Sequence, residues 1–507
     1  MHKFSLTVYG YCELTYDELR RHTASNSVDT ITKARGTFVV VAESRIQTLI
    51  MTSHNGVLPY YYFFDGTRLF HGNTVSAVCV KASLAWKWNY TALGDYLSMN
   101  HTMNDATLHP LIKRTNPGEV VSAEWGKLYI RTSYDQYDKR SATCPNDLIE
   151  ELSEEVLTWW KSPLSILSIS GGLDSRLLLA ILMASNIRPP LLVCGQESAF
   201  DLQVAIKIST RFDLELTHTV VNIDDFIDAC LTIPNQTNGL LPISHWPGVL
   251  FAKGVDNKLV FVGFNGESAR SYYDDSGLLS FLRFGLNSTG SYGSKFWMRK
   301  FYKAFTQEEI SEVDPRLAEE FSPRAYTSRI ARLMGSEPQL GRALERAFVN
   351  EYCRHKTGAD VAALSLSVPW VAPFSSPRWT LLAKNLPYHW KLGSRFHRYA
   401  IGKLAPELLS LPEECNHLGM TTFPNPSLKY WLNLEDKGKA PPFFDQKLYE
   451  DPALLDFINQ SLTYLDDLVP VKLLRKIGAS PQRRRVFFQL GALALWRKQH
   501  DAQHVRI

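Results

Sequence analysis

The apolar run at residues 164–169, LSILSI, passes directly into Ser170-Gly171-Gly172-Leu173-Asp174-Ser175. After it, Leu177, Leu178, Ala180, Ile181 and Leu182 recur at helical spacing. A strand, a tight glycine turn and a helix in immediate succession open a βαβ unit, so a parallel sheet covered by helices is expected around them. No other stretch restricts the fold as much.

Two consecutive glycines let backbone N–H groups turn inward into a concave nest, and the positive end of the following helix adds to it. Such a turn suits a phosphate or pyrophosphate. Ser170 and Ser175 add hydroxyl donors, and Asp174 offers a carboxylate for the Mg²⁺ that a phosphate chain brings with it. Leu173 is expected to face the core. No Lys follows the glycines, so this is not the G-x-x-x-x-G-K-S/T loop, and the spacing is not that of the dinucleotide G-x-G-x-x-G.

Before this stretch, residues 1–138 alternate short apolar runs with turns such as Asp65-Gly66 and Pro117-Gly118, which predicts a β-rich domain with a helix over 91–99. The polar stretch 138–146, DKRSATCPN, sets a boundary, leaving 147–507 as the second unit. There a helix over 148–161 and strands at 164–169, 191–194, 214–221 and 258–264 alternate with further helices, the pattern of a doubly wound parallel sheet. Ligands gather at the carboxyl ends of such strands, where Ser170, Gly195 and Gly263 stand. The remainder, from about residue 280, reads as mostly helical.

Residues 170–175 resemble the pyrophosphate loop of ATP pyrophosphatases. Gly56-Val57-Leu58-Pro59-Tyr60-Tyr61, Asp65-Gly66, Arg68-Leu69-Phe70, Tyr96-Leu97 and Asn116-Pro117-Gly118 follow the order of landmarks in the glutaminase-type domain of asparagine synthetases. Val371-Ala372-Pro373-Phe374-Ser375-Ser376-Pro377-Arg378 is similar to that family's Pro-Phe-Leu-Asp-Arg turn, and the likeness runs from Gly36 to Trp496. It implies an α/β chain with an α+β amino-terminal part: an Ntn-hydrolase-like β-sandwich, then a doubly wound ATP-pyrophosphatase domain extended by carboxyl-terminal helices.

The departures from that family are as informative. Its glutaminase nucleophile is a cysteine exposed by Met removal; here position 2 is His2, the nearest thiol is Cys12, and Thr52-Ser53 replace Arg-Asp. Glutaminase activity is therefore not expected. The branch lacking that cysteine includes β-lactam synthetases and lasso-peptide macrolactam cyclases, in which an amine of the substrate closes a ring. Val262-Gly263-Phe264-Asn265-Gly266-Glu267-Ser268 resembles the family's second acidic motif, with Asn265 in place of a glycine and Ser268 in place of the second acid.

The resemblance implies a nucleotide site of Leu167, Ser168, Ser170, Gly171, Gly172, Asp174, Ser175, Cys194, Gly263, Asn265 and Gly266, with backbone near Leu167 and Cys194 edging the adenine. Asp174 and Glu267 are the implied Mg²⁺ ligands. His417 stands at the family's pyrophosphate-neutralising Lys, with Lys403 as its rival, and Glu351 is a candidate proton acceptor for the amine, or else a surface ion-pair residue.

The expected function is an ATP-dependent ligase that adenylates a carboxylate and couples it to an amine of a peptide or small molecule, with macrolactam closure the sharpest version. Amidation of a small carboxylate by free ammonia is the alternative within the family. From another class comes a non-catalytic nucleotide-binding partner, and a second protein of the same biosynthetic pathway is an expected associate.

Hydrophobic content of 45% and charged content of 21% are those of a soluble globular chain, and 507 residues exceed one ordinary core. With no run of 18 apolar residues and no basic-then-apolar beginning, a cytoplasmic location without membrane insertion is expected. A net charge of +4 is too small to argue for nucleic acid. Arg483-Arg484-Arg485, downstream of Lys472, Arg475 and Lys476, reads as a solvated helix face, and the seven scattered cysteines as free buried thiols.

Overall fold

The computed structural model describes residues 4–132, 142–197, 199–255, 257–270, 286, 291–335, 337–412 and 446–504. Among the described residues, eight strands precede residue 142: β1 (Ser5–Cys12), β2 (Gly36–Glu43), β3 (Gln47–Thr52), β4 (Tyr61–Phe64), β5 (Leu69–Gly72), β6 (Lys113–Arg114), β7 (Glu119–Glu124) and β8 (Lys127–Thr132). They form an antiparallel sheet in the order β1-β2-β3-β7-β8 and a smaller one in the order β5-β4-β6.

Alternation along β2 explains how the larger sheet is covered on both faces. Phe38, Val40 and Ala42 join Leu49, Met51 and Val120 against Leu19, Val28 and Ile31 of two short helices. Val39 and Val41 join Ile50 and Val121 on the opposite face, where they meet Tyr60 and Tyr62. The helix predicted over 91–99 spans Tyr90–Met99, with Asn89 accepting from the Ala92 N–H as its cap.

After residue 142 come β9 (Ser165–Ser168), β10 (Leu191–Cys194), β11 (Leu216–Thr219), β12 (Leu259–Phe261) and β13 (Trp370–Val371). They form one parallel sheet in the order β11-β10-β9-β12-β13. The protein is thus mixed α/β, with a five-stranded parallel sheet beside antiparallel ones. One face of the parallel sheet, with Leu167, Val193 and Phe261, is covered by the helices Pro145–Trp159, Leu173–Ala184, Phe200–Phe212 and Arg395–Leu404. Its other face contributes Ile166, Leu192, Val260 and Val262 to the core that holds Val39, Val41 and Ile50, so the two kinds of sheet share one apolar interior. Helices of the carboxyl-terminal region, including Arg484–His504, close a separate core around Trp246 and Trp496.

Three expectations change. Pro145 and Asn146 belong to the helix Pro145–Trp159 and not to a linker, because proline is suited to a first turn that needs no N–H. The arginine run is engaged: Arg483 pairs with Glu309 at 2.9 Å, Arg484 donates to the Gly478 carbonyl, and the Arg485 guanidinium lies 3.2 Å from the Tyr302 ring centroid. The thiols are free at Cys12, Cys79, Cys144, Cys194, Cys230 and Cys353, but Cys144 is exposed; Cys415 lies outside the described residues. Among the described residues, no helix is long and apolar enough to cross a membrane.

Candidate functional site

β9 is followed outward on one side by β10 and β11, whereas β12 returns to its other side. The loops leaving β9 and β12 therefore diverge, and a doubly wound sheet opens a crevice at such a point. A cavity of about 270 Å³ lies there, lined by Ser170, Asp174 and Ser175 from the first loop and Gly263, Asn265 and Glu267 from the second. Ser168, Cys194, Pro247 and Phe251 form a less polar part of its wall, and Lys356 and Thr357 enter from the helix Arg354–Leu364.

The first loop is more self-contained than its glycines suggest. Ser170 N–H donates to Ser175 Oγ at 3.0 Å, Gly172 N–H to Ser170 Oγ at 3.2 Å, and Gly171 N–H to Asp201 Oδ1 at 2.7 Å. The nest expected to face a phosphate is thus closed by the chain's own oxygens. What faces outward is the start of the helix Leu173–Ala184: its cap, Gly172, has no side chain, so the first-turn N–H groups have no capping partner among the described residues. Gly171 has to be glycine because a Cβ would stand 2.3 Å from the Phe200 ring. Its carbonyl is held from below by buried Arg176 at 3.2 Å, which also donates to Leu408 and Leu411 carbonyls at 3.3 and 3.1 Å. Burial pushes the Asp201 carboxyl above its ordinary range, while the Gly171 N–H and Arg176 favour the anion. Leu173 faces the core as expected, 3% exposed.

Asp174 has a guanidinium on one oxygen and an imidazole on the other, and burial pulls the His397 pKa below its ordinary value, against the charged form of that ring. Its Oδ2 accepts from Arg270 Nη1 at 2.8 Å, and its Oδ1 lies 2.8 Å from His397 Nε2. Burial disfavours the Asp174 anion, but Arg270 and His397 outweigh it and hold the carboxyl low, at about 2. Glu267 follows in a short 3₁₀ turn, Gly266–Ala269. Burial first, then the Asp174 charge, pushes its carboxyl up. The two loops meet because Gly266 lacks a side chain: a Cβ there would stand 2.4 Å from Asp174 Cγ.

Asn265, at the position where the resemblance expects glycine, has φ 72°, a left-handed backbone that Asn tolerates better than most residues. Its Nδ2 donates to the Phe374 carbonyl at 3.1 Å, and its buried Oδ1 has no hydrogen-bond partner. Ser268 and Ser376 are structural here: Ser268 Oγ accepts from Trp379 Nε1 at 2.9 Å, and Ser376 caps the helix Pro377–Lys384.

These donors suit a hard divalent cation. Glu267, whose ionisation burial and the Asp174 charge disfavour, stands with Asp174 and an amide oxygen that has no hydrogen-bond partner among the described residues, so the set presents oxygen ligands. Mg²⁺ is a cation of that class, taking one or two carboxylates and completing its shell with phosphate oxygens and water.

Of the other nominated residues, Leu167 is fully buried in the sheet core rather than on the cavity wall, while Ser168 and Cys194 line the cavity. Burial pushes the Cys194 thiol up to about 11, so it lines the wall as an uncharged group. Glu351 is buried instead of lying on the surface; its Oε2 accepts from Asn104 N–H at 2.8 Å and lies 3.5 Å from His355 Nε2, away from the cavity lining. Lys403 is exposed and donates to Asn146 Oδ1 at 2.9 Å. His417 lies outside the described residues. Reading the sequence missed His397, Asp201 and Lys356, which reach the site from the first turns of helices with no motif of their own, and Arg270, the extended residue directly after the Gly266–Ala269 turn. The chain matches no protein-family model and no curated protein sequence.

Proposed function

We propose that the protein activates a carboxylate with ATP and couples it to an amine. A carboxylate is a poor acyl donor because its leaving group would be oxide. Attack of a carboxylate oxygen on the α phosphorus breaks the α–β bridging bond, releases pyrophosphate and leaves an acyl-adenylate. An amine then attacks the carbonyl, AMP departs, and the amine proton passes to a base or water, giving an amide.

Little covalent chemistry falls to the protein, so its work is to place charge and hold orientation. The observation that carries the reading is that a serine-bearing loop, an uncapped helix N-terminus and two carboxylates converge on one cavity at the sheet's switch point. The first-turn N–H groups with Ser170 and Ser175 would hold the pyrophosphate end, and Ser168, Cys194 and Phe251 would border the nucleoside. Asp174, Glu267 and the Asn265 amide oxygen would hold Mg²⁺, which supplies positive charge against the phosphate oxygens. The resemblance of residues 170–175 and 262–268 to asparagine-synthetase-like ATP pyrophosphatases supports the same chemistry. It also supports reading the amino-terminal sheets as an Ntn-hydrolase-like layer without glutaminase activity, and macrolactam closure as the sharpest form of the reaction.

A second reading, a nucleotide-binding protein that does not turn over, draws on the fact that both oxygens of Asp174 already face side chains of this chain, the Arg270 guanidinium and the His397 imidazole. The experiment that separates the two is product analysis after co-expression with neighbouring genes, followed by assay of the purified protein with Mg²⁺, ATP and the substrate so identified. AMP with pyrophosphate, and a product lighter by one water, is expected for ring closure. ADP with phosphate excludes adenylation, and binding of ATP without AMP formation selects the second reading.

A further inference from the structure

The adenylation reading requires a cation against the pyrophosphate; of the positions nominated from sequence, His417 lies outside the described residues and Lys403 is not on the cavity wall. Lys403 is tied to Asn146 in the open, and Arg270 is spent on Asp174. Among the described residues that line the cavity, the one Lys or Arg is Lys356.

Several features place its ammonium deliberately. Nζ donates to Asp360 Oδ2 at 2.9 Å, one helical turn on, and lies 6.0 Å from the ring centroid of Phe264 in the loop after β12. Burial works against its charge, but Asp360, Tyr352 and Glu267 hold the ammonium above the ordinary lysine value. The helix that carries it is also re-phased just before the lysine: it runs Leu340–Arg346, continues as a π-helix over Ala347–Cys353, and resumes as Arg354–Leu364. Such π turns are rare and are frequently found at functional sites. Past this one, Arg354 and His355 engage the amino-terminal segment, with Arg354 Nη2 donating to the Thr115 carbonyl at 2.8 Å and Arg114 Nη1 lying 2.8 Å from His355 Nδ1. Lys356, the next residue, enters the cavity.

We infer that Lys356 is the cation that holds the phosphate end of the nucleotide, touching the pyrophosphate oxygens in the cavity it shares with Ser170, Ser175 and Glu267. This rests on the adenylation reading and names the residue that reading lacked. Asp360 anchors the ammonium one turn along the helix, and the neighbouring Glu267 sets it beside the residues that would hold the cation, where phosphate charge is greatest.

Calorimetric titration of the full chain with pyrophosphate, ATP and AMP, each with Mg²⁺, tests it. For Lys356→Met, affinity for pyrophosphate and ATP is expected to fall on the order of tenfold or more, with AMP unchanged within about twofold, the scale of one charge-assisted contact. Lys356→Arg should recover most of the loss. Should Met prevent folding, Lys356→Gln, which can still bond Asp360, reads the same difference. Unchanged pyrophosphate and ATP affinity, or an equal loss for AMP, overturns the assignment. Wild-type protein that binds neither ATP nor pyrophosphate overturns the adenylation reading itself, and the assignment with it.

Discussion

His397 Nε2 lies 2.8 Å from Asp174 Oδ1, joining the loop after β9 to the helix Arg395–Leu404 near the far end of the chain. With Arg270 on the other oxygen, Asp174 is the keystone of a buried polar cluster as well as the proposed cation ligand.

Asp174→Ala should therefore do more than abolish turnover. It leaves Arg270, 5% exposed, without its carboxylate, and breaking a buried pair from one side costs about 3–5 kcal/mol. Asp174→Asn should cost less while still stopping AMP formation. Urea denaturation beside the AMP assay checks both, and an active Asp174→Asn protein would remove Asp174 from the metal site.

Gly266→Ala is the sharpest steric test. The added methyl meets Asp174 Cγ and Oδ1, both at 2.4 Å, so the carboxylate has to shift. Overpacking of this kind costs about 1–3 kcal/mol, whereas a displacement of the cation ligand should lower turnover by about a hundredfold. Thermal unfolding together with turnover separates the two effects.

Asp201→Asn retains an oxygen for the Gly171 N–H but removes a negative charge from the cavity wall. With Arg176 balancing part of that charge, relief of about 1 kcal/mol, or about fivefold tighter ATP, is expected. Looser ATP binding would show that the anion itself is needed to shape the loop.

His245 is held down at about 4, chiefly by burial and then by Lys356. An unfolded histidine takes up its proton near pH 6.5, so between about pH 6.5 and 4 the unfolded chain binds a proton that the folded one refuses. The stability this group contributes is complete above that window and is lost as pH falls through it, by up to about 1.4 kcal/mol per pH unit. Denaturation curves of wild type and His245→Asn should diverge in slope across that window alone.

Burial pushes the Cys12 thiol up to about 12, leaving negligible thiolate near neutrality. Glutamine is therefore expected to yield no glutamate, and Cys12→Ser to leave AMP formation unchanged; glutamate release by the purified protein would overturn this.

How legible these features were depended on how local their causes are. β10 runs over Leu191–Cys194 as read from its apolar run, and residues 164–175 fold as strand, turn and helix, because period and glycine placement act within a few residues. Asn265 seemed a loss when set beside a glycine motif, yet its left-handed backbone preserves the turn. His397 and Lys356 were invisible for the opposite reason: neither sits in a local sequence motif, and only helix geometry and tertiary packing bring each to the site. The closure of the nest by Asp201 has the same origin, since no local pattern says which carboxylate will find the Gly171 N–H.

Arg354 donates to the Thr115 and Gly56 carbonyls at 2.8 and 3.3 Å, and Arg114 donates to the Arg354 carbonyl at 3.4 Å. The helix that delivers Lys356 is thus moored to main-chain oxygens of the antiparallel layer, and the two share an apolar interior. A fragment beginning at residue 142 would keep every nominated phosphate and metal ligand yet lose the moorings of a buried guanidinium. Dissection at that boundary should give an insoluble carboxyl-terminal half, rescued only when the amino-terminal piece is made alongside it. The antiparallel layer is then a permanent jig for the other half.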